Sequence, residues 1–394
     1  MTSSSPSSVR NAAFRLAPCA LCLALCALGT GCGPKDGQKE YAEATQAYSL
    51  RNFDKAAALF AKAAELNAAN VDALVMLTRT KLDLGELDGA KDAIARAAAL
   101  APNDRDVVEL SAQVAWHAKD YDRARELYLA IADNAAEDAS ARAQAYVGLG
   151  VIDIALADNG SEWLRDRART EFLRAIALDP KIAAAHYHLG LLYKGMNYYN
   201  AAIDRYKYFV YYATEADPRL QDVQRNVLPA LADASAAAVA QTPGAANRDS
   251  AAAAAAIKKA EDAERKGLFK TARQRYEEAL KADPLSYPAA VGLAKAWEKT
   301  DKTDLGRRKA YEAYAAACRL RSTEIKTFLA TGELAMSLKL YASAVEIYSR
   351  AIAARPQDIS AIDGLIRALR QCKRFKAADV YQRYRETIPV KKRS

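Results

Sequence analysis

A 34-residue spacing between alanines constrains the fold of this chain more than any other feature of its sequence. In eight of nine repeating units a small residue is followed four places later by a large apolar one, and the separations between units are 34, 34, 44, 34, 70, 38, 34 and 34 residues. The small residues are Ala56, Ala90, Ala124, Ala168, Ala202, Ala272, Ala310, Ala344 and Ala378. Their large partners are Phe60, Ile94, Tyr128, Phe172, Tyr206, Tyr276, Tyr314 and Tyr348, with Gln382 in the ninth unit. A fixed period of this length predicts a stack of similar supersecondary units.

The composition favours helix in every unit. Alanine is the most frequent residue, and the 394 residues include only 17 glycines and 12 prolines. Alanine loses least on entering a helix, whereas glycine and proline lose most. A second small residue lies twelve places before the first in most units: Ala44, Ala112, Gly190, Ala260 and Gly332, and also Gly150 and Ala294 where a unit carries extra residues. Prolines suited to ending a helix follow four units: Pro102, Pro180, Pro284 and Pro356. The sequence therefore predicts pairs of antiparallel helices that approach closely at small side chains.

Together these positions resemble the signature of the tetratricopeptide repeat (TPR) family. The segments 186–193 and 178–180 are typical of it, and the resemblance covers roughly residues 37 to 390. It implies an all-α solenoid of about nine helical hairpins that forms a right-handed superhelix. In this family the first helix of each hairpin lines a concave groove that binds segments of partner proteins.

The departures from the period suggest two arrays. We predict a first array at 37–216, a capping helix and linker at 217–250, a second array at 251–390 and a basic tail at 391–394. An amphipathic pattern predicts the capping helix: Leu220, Val223, Val227 and Leu231. Pro229 is expected to interrupt this helix, and a turn-rich linker follows it. The alternative is a degenerate tenth repeat that makes one continuous superhelix.

The N-terminus has the pattern of a secretory signal. Arginines precede an apolar run at 16–28, which is too short to span a bilayer, and small residues then lead to Cys32. This ending resembles a bacterial lipobox, although Gly29 occupies the usual leucine position. We therefore predict a signal peptide at 1–31, lipidation of Cys32, a tether at 32–36 and a location in the bacterial cell envelope. An ordinary secretory signal and an uncleaved membrane anchor are the alternatives.

Two cysteines remain in the body of the chain, Cys318 and Cys372. We expect both to pack as small residues within helices, and a disulfide between them is the alternative.

Alignment with the family places apolar and aromatic residues in the groove of the first array and basic residues in that of the second. The first set is Tyr41, Val75, Met76, Trp116, His117, Val147, Val151, Tyr187, His188 and Leu191. The second set includes Lys295, Lys299, Lys326, Arg367 and Arg370. Residues 33–216 hold 22 basic and 27 acidic side chains, and residues 217–394 hold 33 and 21. Apolar groups would anchor partner proteins, and basic groups suit an anionic partner.

No catalytic constellation stands out. His186 and His188 lie two places apart on a predicted helix, so they point about 200° apart and cannot share a metal ion. We therefore predict a protein that is not an enzyme, with no cofactor and no metal, and that binds protein partners as a scaffold during envelope assembly, secretion or pilus-type biogenesis. No nucleic acid partner is expected for an exported chain. The alternatives are a binder of anionic envelope polymer and, if the signal is not processed, a cytoplasmic adaptor.

Overall fold

The computed structural model describes residues 37–157, 161–320 and 323–388. These residues form α-helices joined by short turns, with no strand in the ranges just given. The structure thus confirms the predicted all-α fold of stacked helical hairpins. The predicted signal peptide, Cys32, the tether at 32–36 and the basic tail lie outside the described residues. No helix of the described part is long and apolar enough to cross a membrane.

The chain divides into two compact units, one ending at Leu100 and the other beginning at Ala101. The predicted boundary between arrays, at 217–250, falls inside the second unit. The first unit contains α1 (Gln38–Ser49), α2 (Phe53–Leu66), α3 (Val71–Asp83) and α4 (Leu87–Leu100). Each helix packs against the next one in the sequence.

The second unit holds the remaining helices. They are α5 (Arg105–His117), α6 (Tyr121–Ala132), α7 (Ala139–Ala157), α8 (Glu162–Leu178), α9 (Ala183–Gly195), α10 (Tyr199–Tyr212), α11 (Leu220–Asp222), α12 (Leu228–Ala240), α13 (Ser250–Arg265), α14 (Phe269–Ala282), α15 (Tyr287–Thr300), α16 (Asp304–Leu320), α17 (Ile325–Ser337), α18 (Tyr341–Ala354), α19 (Ile359–Gln371) and α20 (Phe375–Glu386). The extra residues of the fourth hairpin lengthen its helices, because α7 has 19 residues and α8 has 17. An insertion in the loop alone would leave both helices at the length usual for this repeat. Part of the insertion therefore lies within the two helices.

The turn inside each regular hairpin has one residue in the left-handed conformation. Its φ lies between 57° and 60° at Arg51, Lys119, Asn197, Lys339 and Lys373, and glycines occupy the same place in two other hairpins. The next residue donates its backbone N–H to the carbonyl five positions back, as Asn52 does to Ala47 at 2.9 Å. These bonds satisfy carbonyl groups at the end of the first helix and reverse the chain into the second.

Contacts between small and large residues hold the hairpins together. All nine alanines of the 34-residue pattern are fully buried, and so are Phe60, Phe172 and Tyr348. A Cβ atom added at Gly150 would lie 2.5 Å from the ring of Phe172, and one at Gly332 would lie 2.5 Å from that of Tyr348. The glycines therefore let the aromatic ring of the second helix rest on the backbone of the first. In the ninth hairpin two tyrosines close to Gln382 are buried, Tyr381 and Tyr384.

The predicted capping helix is present, but Pro229 does not interrupt it. A π-helical turn at Val223–Val227 joins α11 to α12, and the N–H of Leu228 donates to the carbonyl of Val223. Proline lacks an N–H and crowds the carbonyl four places back, and the wider π turn relieves this conflict. A turn-rich segment follows α12, as expected, and the side chain of Asp249 then caps α13.

The second unit closes on itself because α20 packs against α8. One continuous apolar core includes buried residues from 112 to 231 and from 318 to 388. The last two hairpins thus fold back onto hairpins that precede them by well over a hundred residues. Cys318 is buried in the core on α16, as expected, whereas Cys372 is partly buried in the turn after α19 and not within a helix. Both are free thiols, so the alternative of a disulfide is wrong.

Candidate binding surfaces

In the first unit the predicted groove residues are packed into the core. The ring of Tyr41 meets that of Phe60 edge-on, with centroids 5.5 Å apart. Val75 is only 8% exposed, and Met76 is half-buried against the same apolar cluster. These three side chains therefore stabilise the hairpins, and they leave little apolar surface for a partner.

In the second unit, α5, α7 and α9 form a cavity of about 420 Å³. The predicted residues Trp116, Val147 and Val151 all line it, and Tyr128 closes its inner side. Polar groups of α5 and α7 stand beside this apolar strip: Glu109, Gln113 and Gln144. The predicted residue His117 is exposed at the end of α5 and does not line the cavity. We call this cavity the first-helix groove.

Tyr187 and His188 take part in an aromatic cluster on α9. The guanidinium of Arg219 lies 4.5 Å from the centroid of the Tyr187 ring, and His188 stacks on Phe172 at 5.4 Å with an interplanar angle of 11°. Burial, and then the charge of Arg219, lowers the pKa of His188 to about 4, so the imidazole is neutral at pH 7. His188 was expected in the groove, but its main contact is with the core aromatic Phe172.

His186 faces a different set of rings from His188. It stacks on Tyr208, with centroids 5.1 Å apart, and its Nε2 lies 2.9 Å from the carbonyl of Pro180. Burial lowers its pKa as well. The two histidines thus point to different neighbours, as their spacing predicted. Across the described ranges, no group of three or more His, Cys, Asp or Glu side chains could hold a metal ion.

The predicted basic residues lie on solvent-exposed faces of α15, α17 and α19. They are Lys295, Lys299, Lys326, Arg367 and Arg370. Arg367 is paired with Glu333 at 2.5 Å, and Glu333 also accepts a hydrogen bond from Tyr348 at 2.8 Å. Burial by itself would raise the pKa of Glu333, but the hydrogen bonds from Arg367 and Tyr348 outweigh it, and the pKa is lowered. The other four cations have no carboxylate partner in the part of the chain that the structure describes.

Sequence reasoning missed a buried ionic cluster on α6, α7 and α8. The carboxylate of Asp153 is fully buried, and it accepts hydrogen bonds from Arg125 at 2.8 Å and from Arg167 at 2.6 and 2.7 Å. Burial raises the pKa of Asp153 although both arginines act in the opposite direction. No periodic signal marks this residue, because it lies in the lengthened part of α7.

A second buried cluster joins α8 to α20. Arg169 is 2% exposed and donates to the hydroxyl of Tyr381 and, at 3.1 Å, to Asp166. Asp166 also accepts hydrogen bonds from Tyr381 and from Arg374, both at 3.1 Å. Lys376 and Arg167 lie over the ring of Trp163, at 5.2 and 4.8 Å from its centroid. Unlike the small and aromatic contacts between successive hairpins, this contact is made mainly of charged groups.

Comparisons with known proteins agree with the helical hairpins. Two segments match family models described as tetratricopeptide repeat, at residues 47–114 and 257–320. With the helix pairs described above, they define an all-α solenoid built from tetratricopeptide-type hairpins.

Solved structures similar to this chain include that of MamA protein, with 18% identity, a TM-score of 0.35, and coverage of 49% of this chain and 96% of that one. Cut9–Hcn1 of the APC/C shows 15% identity and a TM-score of 0.35, over 89% of this chain and 79% of that one. The C-terminal part of a TPR repeat-containing protein from Cytophaga hutchinsonii shows 15% identity and a TM-score of 0.32, over 82% and 99%. No curated protein matches the chain.

Proposed function

We propose that this protein is a non-catalytic scaffold that binds a segment of a partner protein in the first-helix groove. The observation that carries the proposal is the cavity of about 420 Å³ between α5, α7 and α9. Its apolar strip of Trp116, Val147 and Val151 can anchor the side chains of a partner. Glu109, Gln113 and Gln144 beside the strip can bond to a peptide backbone.

A photo-crosslinking amino acid at Val151 tests this proposal. Crosslinking to a partner should be saturable and should fall at least fivefold when Trp116 is replaced by alanine, because the indole forms much of the apolar strip. The matched control places the crosslinker at Leu268, which is 53% exposed at the start of the turn into α14 and does not line the cavity. Equal crosslinking from both positions, or no effect of Trp116→Ala, would exclude the groove as the binding surface.

We further propose that the protein is exported and anchored to a membrane of the bacterial envelope through lipid on Cys32. The support is the basic start, the short apolar run and the small residues before Cys32. Partners would then be other envelope proteins that take part in assembly, secretion or pilus-type biogenesis.

The intact mass of the mature protein tests the anchor. Expression of the full chain in a bacterial host should yield a product that begins at Cys32 and carries diacylglycerol, and a Cys32→Ala variant should lose this modification. A full-length, unmodified product would contradict the lipid anchor and favour a cytoplasmic adaptor with the same repeat fold.

A second candidate function is binding of an anionic envelope polymer. It is favoured by the exposed and unpaired cations Lys295, Lys299, Lys326 and Arg370 on the second array. Because exposed charges are screened within about 8 Å at physiological salt, such binding should weaken steeply as salt rises. Binding through the first-helix groove should change little over the same range.

A further inference from the structure

Three adjoining cavities lie on the opposite side of α10 from the aromatic cluster of α9. Their volumes are about 420, 680 and 690 Å³. Asn200 lines all three, and Ile203, Ala232, Ser235 and Val239 each line two, so the cavities adjoin one another along α10 and α12. We call this space the inner hollow. None of these residues lines the first-helix groove.

The far side of the inner hollow comes from distant parts of the chain. Arg319 and Leu320 end α16, Arg350 and Ala353 lie near the end of α18, and Arg248 lies in the linker before α13. These residues face α10 and α12 because the last hairpins fold back and α20 packs against α8. The hollow is thus a product of the closure of the second unit.

Positive charge in the inner hollow exceeds negative charge. Among the residues that the structure describes, four basic side chains line it, Lys207, Arg248, Arg319 and Arg350, against two carboxylates, Asp204 and Glu324. Arg350 donates to the carbonyl of Cys318 at 3.1 Å and lies 4.0 Å from Glu346. The other three cations have no ion pair with any residue that the structure describes. Uncompensated cations around a cavity favour an anionic occupant.

The near side of the hollow is apolar and made of small side chains. Leu228, Ala232, Ser235, Ala236 and Val239 fall on one face of α12, which buries only Leu231 among its residues. Small side chains let another backbone approach closely. The hydroxyl of Ser235 donates to Asn200 at 3.0 Å, which leaves the amide N–H groups of Asn200 to bond to a ligand carbonyl.

We propose that the inner hollow binds an acidic segment of a partner protein, an extended stretch with carboxylates and small apolar side chains. Each cavity falls in the range of about 300–1,000 Å³ typical of ligand pockets. The carboxylates would pair with Arg319, Arg248 and Lys207, and guanidinium groups can hold a carboxylate through two parallel hydrogen bonds. The backbone would lie along the alanine face of α12. This site is separate from the first-helix groove, so the scaffold would hold two segments at once.

Two tryptophan substitutions on neighbouring positions of α12 test the location. Both residues are exposed, but Ala236 lines the hollow and Ala237 lines none of the three cavities. The probe is a fluorescent peptide of alternating alanine and glutamate, and its binding to the whole mature chain is measured by anisotropy. Ala236→Trp should weaken binding at least tenfold and Ala237→Trp should leave it within twofold. Equal effects of the two variants, or no effect of either, would overturn the proposal.

A matched pair of substitutions on α16 tests whether the positive charge of the hollow contributes to binding. Arg319→Gln removes a cation of the hollow, and Arg308→Gln removes an exposed cation of the same helix outside it. We expect roughly tenfold weaker binding of the acidic peptide for Arg319→Gln, the usual effect of losing a charge-assisted hydrogen bond, and no change for Arg308→Gln. A peptide with glutamine in place of glutamate should bind weakly to the unsubstituted protein. If this neutral peptide binds equally well, or if only a polyphosphate chain binds and Ala236→Trp blocks it, the acidic peptide is the wrong ligand.

Discussion

At the scale of single residues, most hairpins depend on an aromatic ring that rests on a helix backbone. A Cβ at Gly150 would lie 2.5 Å from the ring of Phe172, which is closer than carbon atoms can approach. Phe172 is fully buried, so the ring has no free space into which it can move. The resulting strain is an overpacking effect of the kind that lowers stability in close-packed cores.

We therefore expect Gly150→Ala to lower the free energy of unfolding by about 1–3 kcal/mol. The control is Gly195→Ala, since a Cβ at Gly195, the last residue of α9, meets nothing within 4 Å. Its effect should be within about 0.5 kcal/mol, as for most surface substitutions. Urea unfolding followed by circular dichroism would measure both, and equal effects would contradict this role of Gly150.

His188 gives the protein a dependence on acid pH. Its pKa is lowered by burial and then by Arg219 to about 4 in the fold, against about 6.5 in an unfolded chain. Between these values the unfolded chain binds more protons, so His188 costs stability as the pH falls from 6.5 towards 4. Replacing His188 by leucine should remove this cost. The difference in unfolding free energy between variant and wild type should shift in favour of the variant by about 2–3 kcal/mol between pH 7.5 and pH 4.5. Parallel stability curves for the two proteins would contradict it.

At the scale of helices, the contact between α8 and α20 depends on Asp166. This carboxylate accepts hydrogen bonds from Arg169, Tyr381 and Arg374, and Arg169 is 2% exposed. Removing it leaves a buried guanidinium without its counter-charge, which is more costly than removing both partners.

Asp166→Ala should lower the free energy of unfolding by about 3–5 kcal/mol and expose α20 to protease. Asp379→Ala, at an exposed position of α20, is the control and should change neither quantity. Urea unfolding and limited proteolysis, with cleavage sites assigned by mass, would measure the two effects. Unchanged protease resistance of α20 in Asp166→Ala would show that the cluster does not hold this helix in place.

The helices also show where sequence reasoning was sufficient and where it was not. The burial of the alanines and their aromatic partners follows directly from the 34-residue spacing, because each hairpin repeats the same local contacts. The π turn before Pro229 does not follow from this spacing. It depends on the missing N–H of Pro229 and on the burial of Val223 and Leu231. The contact of Asp166 with Arg374 and Tyr381 could not be found either, because residues so far apart share no period.

The predicted binding residues also divide into those whose surroundings follow from the repeat and those whose surroundings do not. Trp116 and Val151 line a common cavity, because their places on the first helices follow from the repeat, and partner binding there stays a prediction. Tyr41, Val75 and His188 also lie on first helices but pack against core residues, which depends on the size of their particular neighbours. The inner hollow depends on the closure of the second unit, so no repeat position marks it.

At the scale of the whole molecule, the two compact units differ in whether each can fold on its own. The described part of the first unit has the two hairpins from α1 to α4, whereas repeat arrays need roughly three or more repeats for stability. The second unit has an apolar cluster that joins residues 112–231 to residues 318–388, and a closing contact between α8 and α20. A fragment of residues 101–388 should therefore unfold cooperatively in urea, and a fragment of residues 37–100 should show little helix by circular dichroism. A non-cooperative transition of the larger fragment would contradict the compactness of the second unit.

Closure also restricts how this part of the chain can evolve. An open solenoid can gain or lose a repeat, because each repeat contacts only its neighbours. Between α8 and α20, duplication or deletion of a hairpin would displace α20 by the thickness of a repeat and separate Asp166 from Arg374. The contact between α8 and α20 therefore fixes the number of hairpins between these two helices. Sequence change there is limited to substitutions within hairpins, and changes in repeat number are expected only outside the interval.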